Sequence, residues 1–323
     1  GGVQVRETEE GLHYIAQTGG RLVVQGEKIS VEPLLVVRGD VGPRTGNITF
    51  NGGVVVHGSV LDGYRVRADR SVTVNGNVGC CTIRAGKDIL VKNGVIGKGR
   101  GLVAAREDVF VKFAENANIR AGGTIHINRA ALNCRMIAGG RILANKEKGQ
   151  LVGGELRARE GLDVKVLGNG SEHRTEVHAG KNFMLALKLR EVERRLELYR
   201  RSLKSILQVM ERIKESGGSG PLSERACRAY REARSRGARV KQALERLTSL
   251  RLELVQGLRQ VHEAEVVVRD TVYPGVSVHF GDEQFSPEQA QTRVRLRYDQ
   301  YLRKIQREGL VPKEREKKQR ASR

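Results

Sequence analysis

From residue 48 onward, apolar and small residues alternate with polar ones in short runs, and the runs repeat one phrase. It is an apolar residue, any residue, Ala, Gly, two free positions, then apolar, any, apolar. The chain writes it IRAGKDILV at 83–91, IRAGGTIHI at 119–127 and MIAGGRIL at 136–143. The Ala slot recurs at Ala68, Ala85, Ala105, Ala121, Ala138, Ala158 and Ala179, at intervals of 17, 20, 16, 17, 20 and 21, a mean of 18.5. Phe50 in ITFNGGVVV fits the same slot 18 residues earlier. A fixed period of this length marks a solenoid.

Within a unit, Ile119 and Ala121 point to one side of an extended segment, and so do Ile125 and Ile127. Gly122 and Gly123 between them predict a corner built on positive φ. A second turn signal follows each unit, at Asn75-Gly76, Asn93-Gly94 and Gly153-Gly154. One unit is too small to close a core, whereas stacked units share one. About eight coils at ~4.8 Å per strand make a rod on the order of 40 Å long.

The period then changes. From Leu185 the apolar residues fall at Leu185, Leu189, Val192, Leu196, Tyr199, Leu203, Ile206, Met210 and Ile213, in alternating steps of 4 and 3. That is a heptad seam. SGGSGP at 216–221 breaks the helix. A second seam follows through Ala226, Tyr230, Ala233, Gly237, Val240, Leu244, Leu247, Leu254, Leu258 and Val261, with Arg251 its one charged position. A short loop between two long helices predicts an antiparallel coiled-coil hairpin, with a first arm reaching ~45 Å.

Residues 266–280 read VVVRDTVYPGVSVHF. Val272, Pro274, Gly275, Val276 and Val278 echo the solenoid phrase, with Pro-Gly in the place of Ala-Gly. The unit at EVHAG (176–180) has no second half before the helices begin, so the hairpin is read as an insertion. The predicted fold is mainly β with an α insertion: a β-helix of about 18 residues per coil plus the hairpin. The division is a β-rich cap segment at 1–38, the solenoid at 39–181, the hairpin at 182–264, return strands capping the solenoid at 265–298, and a basic, disordered tail at 299–323.

Composition supports a thin β-solenoid. Aromatic residues are 4% and Trp is absent, while Gly numbers 39. No apolar run approaches the ~20 residues of a membrane span. No signal peptide opens the chain at GGVQVRETEE, which reads as the start of a fragment of a longer protein. Cys80, Cys81, Cys134 and Cys227 form no CxxC pair and fit thiols in a reducing cytosol.

The stretch GDVGPRTGNITFNGGVVVHGSVLDGYRVRADRSVTVNGNV (39–78), the Ala-Gly coils, the coiled-coil insertion and the closing TVYPGV together resemble the bacterial flagellar assembly protein A family. The resemblance covers about Glu27 to Arg297. It implies a right-handed β-helix with a coiled-coil hairpin, and a role in flagellar assembly or placement and cell-pole organisation through protein contacts. It brings no catalytic residues. Members usually carry a further N-terminal domain, which is not expected within this chain. The coils are also similar to bactofilins, β-helical proteins that polymerise end to end.

An enzyme on the rod is the more distant reading. Left-handed β-helix acyltransferases use a His, and His57 and His126 lie on predicted strands. Strict six-residue repeats are not kept here. Asp62, Asp69, Asp88 and Asp108 occur about once per coil beside corners, where turn chemistry explains Asp more simply than a metal does. GKGRG at 97–101 lacks the frame of a phosphate loop and reads as a widened loop. No catalytic, cofactor-binding or metal-ligating residue is assigned, and no cofactor is expected.

Charge adds the last expectation. The chain carries +21. Residues 182–264 hold 19 basic and 10 acidic residues, and 293–323 hold 12 and 4, so these segments supply +9 and +8 and leave about +4 elsewhere. The basic surface is therefore expected on the hairpin and tail, where it attracts polyanions or an acidic partner. REARSRGARVK (231–241) is the densest helical run. The candidate contact residues are Arg228, Arg231, Arg234, Arg236, Arg239 and Lys241. The expected function is a cytoplasmic scaffold, polar or membrane-peripheral, that meets flagellar or polar protein partners and further copies of itself. The alternative is a protein that binds nucleic acid or an anionic membrane through the same basic surface. The near absence of aromatics argues against single-strand readout.

Overall fold

In the computed structural model, which describes residues 3–8, 11–17, 20–26, 28–215, 223–259, 263–299, 302 and 304–310, the seven alanines of the repeat stand in one column. Each pairs in parallel register with the next, from Ala68 to Ala179, with Phe50 below the first and Phe280 above the last. The repeat is a β-solenoid of about eight turns. Ile119, Ala121 and Ile125 lie against Met136, Ala138 and Ile142 of the next coil, all without exposed surface. The chain divides into two compact units, Gly1–Phe183 with His262–Arg323, and Met184–Val261.

Each coil has three strand faces rather than the two read from the phrase. The first carries the alanine column and runs from Ile48–Phe50 to Val276–Phe280. The second runs from 34–37 through Gly53–Val56 to 265–268. The third begins with the bridges Val41–Val60–Val78–Val95 and ends at 271–272. The expected turn at Asn93-Gly94 is the corner between the second and third faces, inside the strand Ile89–Ile96, where the register shifts. Inward Val, Ile, Leu and Ala fill the interior, and burial of this apolar surface is the main stabilising term.

The reason for glycine at the first corner differs from the expectation. Gly122 and Gly123 do not adopt positive φ. A Cβ on Gly122 would overlap the carbonyl oxygen of Arg106, and one on Gly139 would overlap that of Gly122. Close approach of successive coils, not a left-handed backbone, excludes a side chain there.

The helices interrupt one coil. Thr175–Ala179 ends one face, and Glu265–Val272 resumes on Gly161–Leu167 as the missing second face. The amide of Gly180 donates to the Arg159 carbonyl at 3.1 Å, and that of Glu265 to the Glu160 carbonyl at 3.2 Å. Both ends of the insertion are thus fixed to neighbouring residues of one coil. In the returning coil Phe280-Gly281, not Pro274-Gly275, takes the Ala-Gly place: Val278, His279 and Phe280 lie opposite Val177, His178 and Ala179.

Antiparallel strands close this end. Glu283–Phe285 pairs with Val276–Phe280, and Gln291–Asp299 with Glu265–Val272. The tail was expected to be disordered from 299, yet Lys304–Gly309 forms a strand on Gln291–Asp299. Ladder pairing of an otherwise open edge outweighs the charged composition. The tail from 311 lies outside the described residues. At the other end, Gly20–Gln25 pairs antiparallel with the start of Lys28–Val37, whose last residues already belong to a coil, a few positions before 39. Val3–Thr8 and Gly11–Ala16 form a separate two-stranded sheet.

The second unit is a pair of helices, α1 (Phe183–Glu215) and α2 (Glu224–Arg259). Ser223 caps α2, its Oγ accepting from the Ala226 amide at 3.3 Å. Leu185 meets Gly257, Glu193 meets Arg251, Ile206 meets Gly237 and Lys214 meets Tyr230. As one number rises the other falls, so the helices are antiparallel. Val192, Leu196 and Leu254 form the buried centre, with Leu185, Leu189, Leu244, Leu247 and Leu250 packed on it. Leu250 takes the apolar contact beside Arg251, which turns outward to Glu193 at 3.6 Å. The break at 216–221 lies outside the described residues.

Candidate functional site

The basic run of α2 follows from what the seam leaves over. Ala226, Tyr230, Ala233, Gly237 and Val240 are half-buried towards α1, and the residues between them, apart from the half-buried Cys227, are exposed. Arg228, Arg231, Arg234, Arg236, Arg239 and Lys241 are all among the exposed ones. At 3.6 residues per turn, Arg228, Arg231 and Arg239 lie on the side away from the seam. Arg234 and Lys241 fall on one flank and Arg236 on the other. The six are therefore wrapped around the helix and not gathered on one face.

None of the six has a carboxylate partner among the described residues. On α1, by contrast, Glu191 holds Arg195 at 3.0 Å and Glu197 holds Arg201 at 2.9 Å. On α2 the Arg231 Nε donates to the Cys227 carbonyl at 3.4 Å, which leaves its charge uncompensated. Cations held this way interact with an incoming anion without first breaking an internal pair.

The other candidates have structural work. Asp88 accepts the Asp108 amide at 3.0 Å, and Asp108 accepts the Thr124 amide at 2.6 Å. Asp62 accepts the Cys80 amide at 2.7 Å and the Lys98 ammonium at 2.6 Å, and the Lys98 bond holds its carboxyl below the usual range. These three carboxylates tie a corner to the next coil, through bonds to amides 16–20 residues on, in place of the local turn bonds expected of Asp. In GKGRG the Gly99 amide donates to the Asn116 carbonyl and the Gly101 amide to that of Gly97, both at 2.7 Å, so these amides are not aimed at an anion. His57 is exposed. His126 stacks on Phe110, ring centroids 4.4 Å apart, and burial lowers its pKa.

Sequence reasoning missed a polar cluster near the insertion. Glu155, Glu176 and His178 bring three potential ligand atoms within 4.8 Å of one another. Glu155 is already bound by Arg135 at 2.8 Å and by Arg157, and Glu176 by Arg174. Three guanidinium groups beside two carboxylates leave no negative charge to attract a cation. His178 stacks on His279 at 4.7 Å. Only the vertical register of coils about 20 residues apart brings these groups together, and no spacing in the sequence signals it.

Neither helix is long and apolar enough to cross a membrane. The four cysteines are free thiols. A family model described as the flagellar assembly protein A β-solenoid domain matches residues 33–302. No curated protein and no solved structure matches the chain.

Proposed function

The chain belongs to the flagellar assembly protein A family, and we propose that it acts in flagellar assembly or placement and in cell-pole organisation as a non-catalytic scaffold. The observation that carries this reading is the unpaired basic run of α2. Six exposed cations without a carboxylate partner among the described residues suit contact with an acidic surface. The partner is an acidic flagellar or polar protein, and further copies of the chain are candidate neighbours. The scaffold works in the cytoplasm, at the pole or at the inner membrane surface.

The high net charge favours a second reading, in which the same run binds nucleic acid or anionic lipid. One experiment separates the two. The chain and its Arg231→Glu/Arg234→Glu/Arg239→Glu variant are used to capture partners from lysate, labelled duplex DNA and phosphatidylglycerol vesicles at low and high salt. The scaffold reading expects an acidic protein to be captured by the wild type, lost in the variant and weakened by salt, since exposed charges are screened within ~8–10 Å. Capture of DNA or vesicles alone supports the second reading. Equal capture by both proteins overturns a role for this run.

A further inference from the structure

One face of the solenoid carries a column of arginines that net charge conceals. On the face with the alanine column, the residue before each Ala points outward. Coil upon coil, in register, these are Arg67, Arg84, Ala104, Arg120, Ile137 and Arg157. Arg65 and Arg135 point the same way two residues before their outward neighbours. From Arg67 to Arg157 the column covers about 24 Å at ~4.8 Å per coil. Its cations are all Arg, whose planar fork matches a carboxylate through two parallel hydrogen bonds.

The far end of the column shows what it accepts. Glu155 receives the Arg135 Nε at 2.8 Å and a guanidinium nitrogen of Arg157. Burial opposes the charge of Glu155, yet the bonds from Arg135 and Arg157 outweigh it and hold the carboxyl below its usual range. Further back the same arrangement lacks its acid. Arg65, Arg67, Arg84 and Arg120 have no ion-pair partner among the described residues. Arg120 is half-buried, and burial, then Arg84 and Arg135, lower its pKa. Ile137 points outward between Arg120 and Arg157 but is only 4% exposed, so the flanking side chains lie over it. Cations drawn together and partly desolvated, with no anion between them, are stabilised when one arrives.

We propose that this column is a docking strip for an extended acidic segment of a partner protein. Its Asp and Glu side chains would take, beside Arg67, Arg84 and Arg120, the place that Glu155 takes further along. The other outward residues of the strip, Thr82, Leu102, Ala104 and Asn118, include no aromatic ring on which a base could stack. The strip stands independently of the hairpin contact proposed above.

The test is a fluorescence titration of the full chain with a labelled peptide of alternating Glu and Ser, at low and physiological ionic strength. The wild type binds it, more weakly as salt rises. Arg84→Gln/Arg120→Gln weakens binding by about tenfold or more, as expected for losing two charge-assisted contacts. The Arg231→Glu/Arg234→Glu/Arg239→Glu variant of the hairpin leaves it unchanged. A further variant, Ala104→Glu, puts a carboxylate between Arg84 and Arg120 in register. It should both exclude the peptide and raise the melting temperature. Equal binding by the wild type and by either solenoid variant overturns the strip. So does binding of labelled oligothymidylate or phosphatidylglycerol vesicles without binding of the peptide.

Discussion

Phe50 and Phe280 occupy the two ends of a single column whose interior members are all alanine. An inner member has a coil on each side, and only a methyl group fits the closed corner. At the end of the stack a larger side chain takes the room that a further coil would fill. Phe280 is 2% exposed and stacks on Tyr298 with centroids 6.4 Å apart, which joins the last coil to its antiparallel cap.

Phe280→Ala should therefore open a cavity at the cap and cost about 3–5 kcal/mol in chemical unfolding. Phe50→Ala should cost less, because Phe50 is only half-buried. Equal costs would show that the cap does not depend on the buried ring.

The corner glycines give a sharper contrast. Gly122→Ala should destabilise by about 1–3 kcal/mol or more, because its methyl group meets the Arg106 carbonyl. Gly39→Ala, where a Cβ meets nothing within 4 Å, should stay within ~0.5 kcal/mol of wild type. Thermal melts of the two variants compare them directly. Similar melting temperatures would refute close approach as the reason for glycine.

The period was legible in the sequence because a closed corner admits so few residues that Ala recurs with little noise. The heptad seam was legible for a similar reason, since an apolar contact every three or four residues is what two packed helices need. The last coil was misread at Pro274-Gly275, a strong turn signal, while Phe280 disguised a slot that holds Ala in every inner coil. The strand Lys304–Gly309 was hidden by its charge, because an edge left open by the fold, not local propensity, makes it a strand. The arginine column was invisible for a third reason. Its members stand about one coil apart in sequence, and the charge sum averages over all three faces.

Excision of the hairpin should leave the solenoid intact. Its ends are held by the adjacent residues Arg159 and Glu160, so a short Gly-Ser linker in place of 182–264 can join them. Circular dichroism should show the helical signal lost and the β signal kept, with a cooperative melt. An unfolded product would mean that the helices belong to the core.

Acid should weaken the fold. Burial, then His279 and Arg157, lower the pKa of His178, while Glu155 and Glu176 pull weakly the other way. Burial also lowers that of His126. The unfolded chain binds these protons near pH ~6.5 and the folded one only below that. Their contribution is thus complete above about pH 6.5 and is lost as pH falls through the folded pKa values. Melts across this window should show the loss, and His178→Gln should reduce it. An unchanged pH profile in that variant would remove His178 from the account.

Thiol labelling should divide the cysteines. Burial pushes the Cys81 thiol up to about 12 and the Cys134 thiol up to about 11. Both should resist iodoacetamide in the native protein, while Cys80 and Cys227, which are partly exposed, react. Mass spectrometry of the labelled peptides reads this, and rapid native labelling of Cys134 would contradict the packing described.

The scaffold reading is tested most directly by counting and locating flagella, by electron microscopy, in the encoding bacterium after deletion of the gene. Complementing strains carry the wild-type chain or the hairpin-excised chain. The expected result is lost or misplaced flagella in the deletion strain, restored by the wild-type chain but not by a folded, equally abundant hairpin-excised chain. Normal flagella in the deletion strain would contradict the role in flagellar assembly. Full restoration by the excised chain would contradict the hairpin as the element through which the scaffold works.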